Sequence, residues 1–320
     1  MGDEELIKMT RVTEADYRDL VQNNKELVFK DRLGKREVRI NVGEKQTISA
    51  EDVQPKKFDM EGTTVWSFPH RGNWATHKGN FRGNWPPQMA RNLVLRYTKP
   101  KELVIDQMCG SGTTLIECKL LNRNGIGVDI NPNSIILTRD RLSFKLPDVV
   151  KKNSTFTHTT QHTYIGDARN LNEIKDESID LIATHPPYAN IIPYSKKKVK
   201  GDLSKVHSID EYVTEIQKVA LESYRVLKPD KYCSILVGDT RRQKHYVPIA
   251  YRVMNAFLSA GFILKEDVIK RQWRCKATPF WLKKSMEYNF LLLMHEHLFI
   301  FRKPGQEENP KKFKESMKWW

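Results

Sequence analysis

Apolar residues along this chain gather in short blocks of strand length, and most blocks end in an acid or a turn. Leu103-Val104-Ile105 runs into Asp106, Gly125-Ile126-Gly127-Val128 into Asp129, and Thr163-Tyr164-Ile165 into Gly166-Asp167. Ile179-Asp180-Leu181-Ile182-Ala183 reads as a buried strand, and Tyr232 to Val237 as the next one. Helical spacing covers 208–227, with Ser208 or Asp210 near its start and Lys228-Pro229-Asp230 as its stop. A second helix is predicted over 247–260, ending at Gly261, and 262–271 with 296–303 read as a long strand pair closing the sheet. The expected fold class is α/β, a mostly parallel sheet with an antiparallel edge strand. Residues 1–60 are polar, and only Glu37 to Val42 alternates well enough to predict a small strand there.

The ends of these blocks carry the chemistry. After Asp106 comes Gln107-Met108-Cys109-Gly110-Ser111-Gly112-Thr113-Thr114. Gly110 and Gly112 predict a tight turn that lets backbone approach a ligand, with a helix opening at Thr113. Asp129, ending the second strand before Ile130, can accept hydrogen bonds from both hydroxyls of a ribose. Asp167, followed by Ala168, ends the third block in the same way. The buried strand at 179–183 runs into Thr184-His185-Pro186-Pro187-Tyr188. Prolines there cannot continue a sheet, so they make a stiff loop at a carboxyl edge, where open α/β sheets bind ligands. Tyr188 offers a ring for stacking, and the Pro186 carbonyl has no obligatory local partner. No G-x-x-x-x-G-K-[ST] loop occurs, and the glycine turn lacks G-x-G-x-x-G spacing for a pyrophosphate. A nucleoside carrying a sulfonium in place of phosphates fits better, which points to S-adenosylmethionine.

With these motifs the chain resembles the S-adenosylmethionine-dependent amino-methyltransferases of DNA, which modify adenine N6 or cytosine N4. Their first motif, commonly D-P-F-x-G-S-G-T-T, is matched by Asp106 to Thr114, and their catalytic Pro-Pro-aromatic motif by His185-Pro186-Pro187-Tyr188. Asn84-Trp85-Pro86-Pro87-Gln88-Met89-Ala90-Arg91-Asn92-Leu93 is similar to the segment that helps enclose the cofactor in that family. The likeness runs from about Phe68 to Lys303 and implies a Rossmann-like methyltransferase fold with a twisted sheet. It implies that the Pro186 carbonyl and the His185 side chain accept from the amino group of a flipped base stacked on Tyr188. It also implies that Asp129 holds the ribose, Asp167 the adenine amino group of the cofactor, and the Gly110–Gly112 turn the methionine end. Asp106, Met108, Cys109, Thr113, Thr114, Ile130, Ala168 and Trp85 complete the expected cofactor site.

His185 departs from the family pattern, in which Asp or Asn suggests adenine and Ser suggests cytosine. A neutral imidazole can accept one hydrogen bond and a protonated one cannot. The position leaves the base open, and a loop-capping role for His185 stands beside the acceptor role. The acceptor role predicts activity that falls as pH drops through roughly 6.5.

Composition adds a partner. The 320 residues carry a net charge of +15, and 12 of those charges lie from Asn190 onward, where 26 Lys or Arg face 14 Asp or Glu. Three basic stretches are candidate contacts to double-stranded DNA: Lys196, Lys197 and Lys198; Arg241 and Arg242; and Lys270, Arg271, Trp273 and Arg274, continuing to Trp281. Each is predicted to follow a strand on the same sheet edge as the catalytic loop, within loops at about 189–207, 240–247 and 270–286. Trp273 and Trp281 are candidates to stack on bases or to pack. Arg-Gly-Asn-Trp occurs twice in 68–85, whose Gly and Asn content predicts turns. His70 and His77 lie there without matching ligand spacing, so no metal is expected. Cys109, Cys118, Cys233 and Cys275 form no C-x-x-C pair, no apolar run reaches the ~18 residues needed to span a membrane, and no signal-peptide pattern opens the chain.

These features predict a cytoplasmic protein of a bacterial or archaeal cell, with an N-terminal extension (1–60), a catalytic domain (61–304) and a charged, mobile tail (305–320). The expected activity is site-specific methylation of DNA, adenine N6 slightly ahead of cytosine N4, in a system with a restriction endonuclease or as an epigenetic mark. An RNA base methyltransferase and a non-catalytic DNA-binding subunit are the rival readings.

Overall fold

The computed structural model describes the chain apart from residues 1–5, 31–36, 45, 149–157, 188–200, 204–205, 207, 274–277 and 319–320 and the side chain of Lys30. Tyr188, Lys196, Lys197, Lys198, Arg274 and Cys275 therefore lie outside the described residues. The strands of the parallel core are β5 (Leu103–Asp106), β6 (Asn124–Asp129), β7 (Gln161–Ile165), β8 (Ile179–Thr184) and β9 (Leu227–Val237). With β1 (Thr10–Val12), β4 (Val65–Ser67), β12 (Ile263–Arg271) and β13 (His295–Arg302) they form one sheet in the order β1-β7-β6-β5-β8-β9-β13-β12-β4. Two small hairpins, β2 (Glu26–Lys30) with β3 (Glu37–Asn41) and β10 (Thr240–Arg242) with β11 (His245–Val247), stand apart from it.

The central strands are apolar because both of their faces are covered, and every residue of β8 is buried. Successive side chains alternate between the two faces. Val104, Leu181, Leu236 and Leu298 pack with Met89 and Leu93 of α2 (Pro87–Tyr97). Their neighbours Ile105, Ile182, Ile235 and Phe299 pack on the other side with Ile216 and Val219 of α5 (Ile209–Val226) and Val253 and Phe257 of α6 (Ile249–Ser259). Helices α3 (Thr113–Leu120) and α4 (Pro132–Leu142) follow β5 and β6.

Strand direction decides where the loops meet. β5 to β9 are mutually parallel, and β13 runs antiparallel to both β9 and β12. The antiparallel strand of the expected closing pair is thus inserted between β9 and β12, while β1, antiparallel to β7, is an edge strand. β12 and β4 consequently share the direction of the core strands. The exits of β5, β6, β7, β8, β9, β12 and β4 all open on one edge.

Several expectations are corrected. Lys228-Pro229-Asp230 stops α5 as expected, but the strand expected from Tyr232 already begins at Leu227 and is irregular where it pairs with Ile179 and Leu181. The described part of residues 1–60 joins the body of the protein instead of extending from it. β1 pairs with β7, the Tyr17 hydroxyl donates to Asp140 Oδ1 at 2.7 Å, and the Gly43 amide donates to the same oxygen at 2.8 Å. Tyr17 belongs to α1 (Glu14–Asn23), which is closed by a capping box of Thr13 and Asp16. Lys270 and Arg271 end β12 and do not follow it, and Trp281 sits in α7 (Thr278–Glu287). The tail folds back through a 3-10 turn at Pro310–Ser316, held where Arg302 pairs with Glu308 at 2.8 Å and lies over the Phe313 ring. No helix among the described residues is long and apolar enough to cross a membrane.

Candidate active site

The common edge holds a cleft of about 880 Å³, open to solvent, between the strand ends and the 68–85 segment. Asp106, Met108, Cys109, Gly110, Thr113, Asp129, Ile130, Asp167, Ala168, Trp85, His185 and Pro187 all line it. Gly112 and Thr114 stand just behind. Gly112 caps α3 with a left-handed φ of 79°, and the Thr114 hydroxyl donates to Asp106 Oδ2 at 2.6 Å. Gly110 also has a positive φ, 54°, and a Cβ there would sit 2.9 Å from Phe81 Cε1. The turn needs glycine at both places.

The electrostatics suit a cation. Burial pushes the Asp106 carboxyl up to about 7, although Thr114 and the Met108 amide oppose the rise. Burial likewise pushes Asp129 up to about 6, against hydrogen bonds from the Asn131 and Gly110 amides, both 2.9 Å long. Neither acid has an ion-pair partner among the described residues. The Thr113 hydroxyl oxygen is also buried in this cleft without a hydrogen-bond partner among the described residues. Two desolvated acids, an unused hydroxyl and a glycine cradle fit a ribose and a positively charged arm.

Asp167 is engaged more heavily than its sequence suggests. Arg169 donates from its backbone amide and Nε to Oδ1, each at 2.9 Å, and from Nη2 to Oδ2 at 2.6 Å. Arg169 in turn bonds Glu215 and the Gly201 carbonyl, which brings Gly201, Asp202 and Leu203 to the cleft. No local signal marks residues 201–203 for this position.

The His185 ring packs parallel to Trp85, 6.1 Å between centroids at 22°, and hydrogen-bonds the Gly83 backbone. Burial pushes its pKa down to about 4; Glu296 and Lys270 act in opposite senses beside it. The ring is therefore neutral well below pH 6.5, and the acid limb expected there moves down toward 4. Sign follows from linkage: the folded value lies below the unfolded one, so the neutral ring's contribution to stability is complete above about 6.5 and is lost as pH falls toward 4. The Tyr212 hydroxyl, from α5, donates to the Pro187 carbonyl at 3.0 Å and fixes the loop from behind. Tyr212→Phe is expected to weaken catalysis about fivefold, the equivalent of one hydrogen bond of about 1 kcal/mol, with a smaller effect on cofactor affinity. Steady-state kinetics alongside a binding titration check this.

The 68–85 segment is anchored by a buried hub that the sequence did not reveal. Glu117 of α3 accepts from Trp74 Nε1 at 2.8 Å, His77 Nε2 at 2.7 Å and Arg91 Nε at 2.8 Å. Burial alone would raise the Glu117 carboxyl, but His77 and Arg91 together hold it below its ordinary value. Arg71 ties the far end by donating to the Trp85 carbonyl at 2.7 Å.

Among the expected DNA contacts, the structure brings together some and diverts others. Arg241 and Trp281 border one open groove beyond the exit of β9. Arg241 bonds the carbonyls of Leu291 and Lys244 at 2.9 and 3.0 Å, and Arg242 is exposed beside it on β10. Lys270 is diverted into a 2.7 Å ion pair with Glu296. Arg271 lies over the Trp273 ring at 4.1 Å, and Trp273 Nε1 donates to Ser67 Oγ at 3.0 Å.

Fold and cleft together define a class, an α/β protein in which a glycine turn, strand-end acids and a Pro-Pro loop converge on one cleft. The chain belongs to the DNA methylase family, whose sequence profile matches residues 8–139 and 179–319. S-adenosylmethionine is the cofactor that goes with this family. The chain is 28% identical over 182 residues to the Type II methyltransferase M.MthZI of Methanothermobacter thermautotrophicus, covering 51% of each protein. It is 26% identical over 206 residues to M.MjaII and 29% over 182 residues to M.MjaI, both of Methanocaldococcus jannaschii. Those two matches cover 60% and 49% of this chain but 36% and 59% of the relatives. The matched region thus spans about half the length of these relatives, or less.

Proposed function

We propose that this protein methylates DNA, moving the methyl group of S-adenosylmethionine to the exocyclic amino group of a base turned out of the duplex. Adenine N6 is the first expectation and cytosine N4 the alternative. The observation that carries the reading is the convergence of His185 and Pro187 on the same cleft as the glycine turn and Asp129. The names of the relatives, Type II methyltransferases, favour a modification role beside a restriction endonuclease.

The sulfonium of the cofactor supplies an activated methyl, so the protein's work is positioning and electrostatics. Asp129 would hold the ribose, Thr113 and the Gly110 turn the methionine arm, and Asp106 would face its ammonium or orient the turn. Asp167, already anchored by Arg169, would accept from the adenine amino group through its remaining lone pairs. An exocyclic amine is a poor nucleophile because its lone pair is delocalised into the ring. The neutral His185 ring and the Pro186 carbonyl accept from its hydrogens, which returns electron density to nitrogen. The new N–C bond forms as the S–C bond breaks, and the nitrogen then releases one proton to solvent. Tyr188 would stack on the base, and Arg242, Arg271, Trp273, Trp281, Arg274 and Lys196 to Lys198 would meet the duplex around it.

Two pH dependences separate the parts. Cofactor affinity is expected to fall as pH drops from about 8 through 7 to 5, because Asp106 and Asp129 take up protons near 7 and 6. The rate at saturating cofactor is expected to stay level until pH approaches 4, where His185 is protonated. A calorimetric titration and single-turnover rates across that range check both. The function itself is tested with labelled S-adenosylmethionine and mixed duplex DNA, digested to nucleosides. Label in N6-methyladenine or N4-methylcytosine supports the proposal. Label only in RNA, or tight cofactor binding with no transfer, overturns it.

A further inference from the structure

One cluster of ligating side chains lies outside the cleft. β9 ends at Val237 and Asp239 follows it, while β13 begins at His295 and places His297 directly across from Val237. His295 and His297 are two apart on a strand, so they share a face, opposite to Glu296 with its Lys270 partner. One ligand atom from each of Asp239, His295 and His297 lies within 4.8 Å of the others. The side chains of His297 and Asp239 are only 3% and 2% exposed. This is the α6 side of the sheet, where His297 stacks on Phe299 and meets Tyr251.

The two nitrogens of His297 have different surroundings. Nδ1 lies 3.1 Å from Asp267 Oδ1 on β12, an acceptor, which places a proton on Nδ1. Nε2 is buried without a hydrogen-bond partner among the described residues and points at Asp239 Oδ2, 3.6 Å away. With Nδ1 protonated, Nε2 presents a lone pair toward a buried carboxylate, which is repulsive unless a cation lies between. Asp239 is held in place by the Tyr246 hydroxyl on Oδ2 and the Ala250 amide on Oδ1 at 2.7 Å. A carboxylate behind the imidazole and a fixed carboxylate in front are the supports that metal-binding histidines have. The nearby cations have other partners: Lys270 pairs with Glu296, and Arg241 bonds the Leu291 and Lys244 carbonyls.

We propose that Asp239, His295 and His297 hold one divalent transition-metal ion of the zinc type. Two imidazoles and a carboxylate suit such an ion better than Mg²⁺ or Ca²⁺, which prefer all-oxygen sites. The ion ties the exit of β9 to the entry of β13, and so steadies the β10–β11 hairpin that carries Arg241 and Arg242. Its task is structural, because His185 stands on the other face, beside Glu296 and Trp85.

The full chain, stripped with chelator, is titrated with Co²⁺ while its ligand-field absorption is followed, and with Zn²⁺ against a chromophoric competitor. One ion per chain, bound at micromolar concentration or tighter, with a raised melting temperature, is expected. His295→Ala and Asp239→Asn are each expected to weaken binding by about tenfold or more. His295 is only half-buried, so its variant is expected to keep the fold, and circular dichroism checks this. No saturable binding by the native chain, or equal affinity in both variants, overturns the proposal. So does ¹⁵N NMR of the chain in excess Zn²⁺ showing both His297 nitrogens protonated at neutral pH, since the cation would then be the imidazolium itself.

Discussion

Glu117→Ala is expected to lower stability by about 3–5 kcal/mol, the usual result of stripping one partner from a buried ion pair. The carboxylate is fully enclosed, and it receives Trp74, His77 and Arg91 together. Without it, among the described residues, the Arg91 guanidinium keeps only the Gln54 side chain and the faces of Phe58 and Trp74. The Trp74 and His77 donors lose their acceptor at the same time. Total stability of a folded domain is about 5–15 kcal/mol, so this is a large part of it. The melting temperature is expected to fall by roughly 10 °C. Glu117→Gln keeps the shape and one acceptor, and is expected to cost about 1–3 kcal/mol. The damage reaches the site because the hub anchors the segment that carries Trp85 and Phe81 over the cleft. Cofactor affinity should therefore fall in both variants even at temperatures where they are folded. Thermal melts with binding titrations at low temperature measure both effects. A change in melting temperature below about 2 °C would show that the hub carries little energy.

Acid should loosen the same hub. His77 is pushed down by burial and Glu117 is held down by its partners. Both folded values lie below the unfolded ones, so both contributions are complete above about 6.5 and fade as pH falls, first for His77 and then for Glu117.

The parallel core was legible because β8 and its neighbours are buried on both faces, which leaves nearly continuous apolar runs in the sequence. The strand-end residues were legible for a related reason. A glycine turn and an acid at the end of such a run have a fixed relation to the strand, and the strands share one direction. What could not be read depends on pairing between distant segments. β1 is three residues long and gains its place only from β7, and Asp140 draws in Tyr17 and Gly43 from far upstream. Asp202 reaches the cleft through the Arg169 contact to Gly201, which leaves no pattern near either residue. Glu117 lies three residues past the glycine-turn motif, with nothing in the sequence to show that three donors converge on it. Lys270 looked like a free cation in a basic run, and the strand pairing that sets it against Glu296 made it a buried partner. The proposed grouping of His295 and His297 with Asp239 left no signal in the sequence, because Asp239 lies far upstream, just past the end of β9. Charge runs and histidines take their meaning from register, and register here is set by contacts across the sheet.

His185→Ala is expected to lower the rate of methyl transfer about 100- to 1,000-fold, the usual effect of removing one preorganised polar group from a transition state. This loss follows from the proposed acceptor role and from the ring's neutrality. At pH 7 the imidazole is far above its value of about 4, so one nitrogen can accept from the base amine. The Gly83 hydrogen bond and the packing on Trp85 hold the ring in one orientation, which is what preorganisation requires. A loop-capping role predicts a different pattern, so three variants are needed. His185→Asn restores a carbonyl acceptor and is expected to keep the rate within about tenfold of native. His185→Phe keeps the flat ring over Trp85 but offers no acceptor, and should be as slow as the alanine variant. Cofactor affinity should change little in all three, because the residues proposed for the ribose and the methionine arm stand at the ends of β5 and β6. If phenylalanine supports near-native rates, the ring acts by packing alone and the Pro186 carbonyl is the sole acceptor. Asparagine carries a second consequence, since an amide can also donate. A shift between adenine and cytosine products in that variant would mean that position 185 helps choose the base. Nucleoside analysis of single-turnover products measures the rate and the choice together.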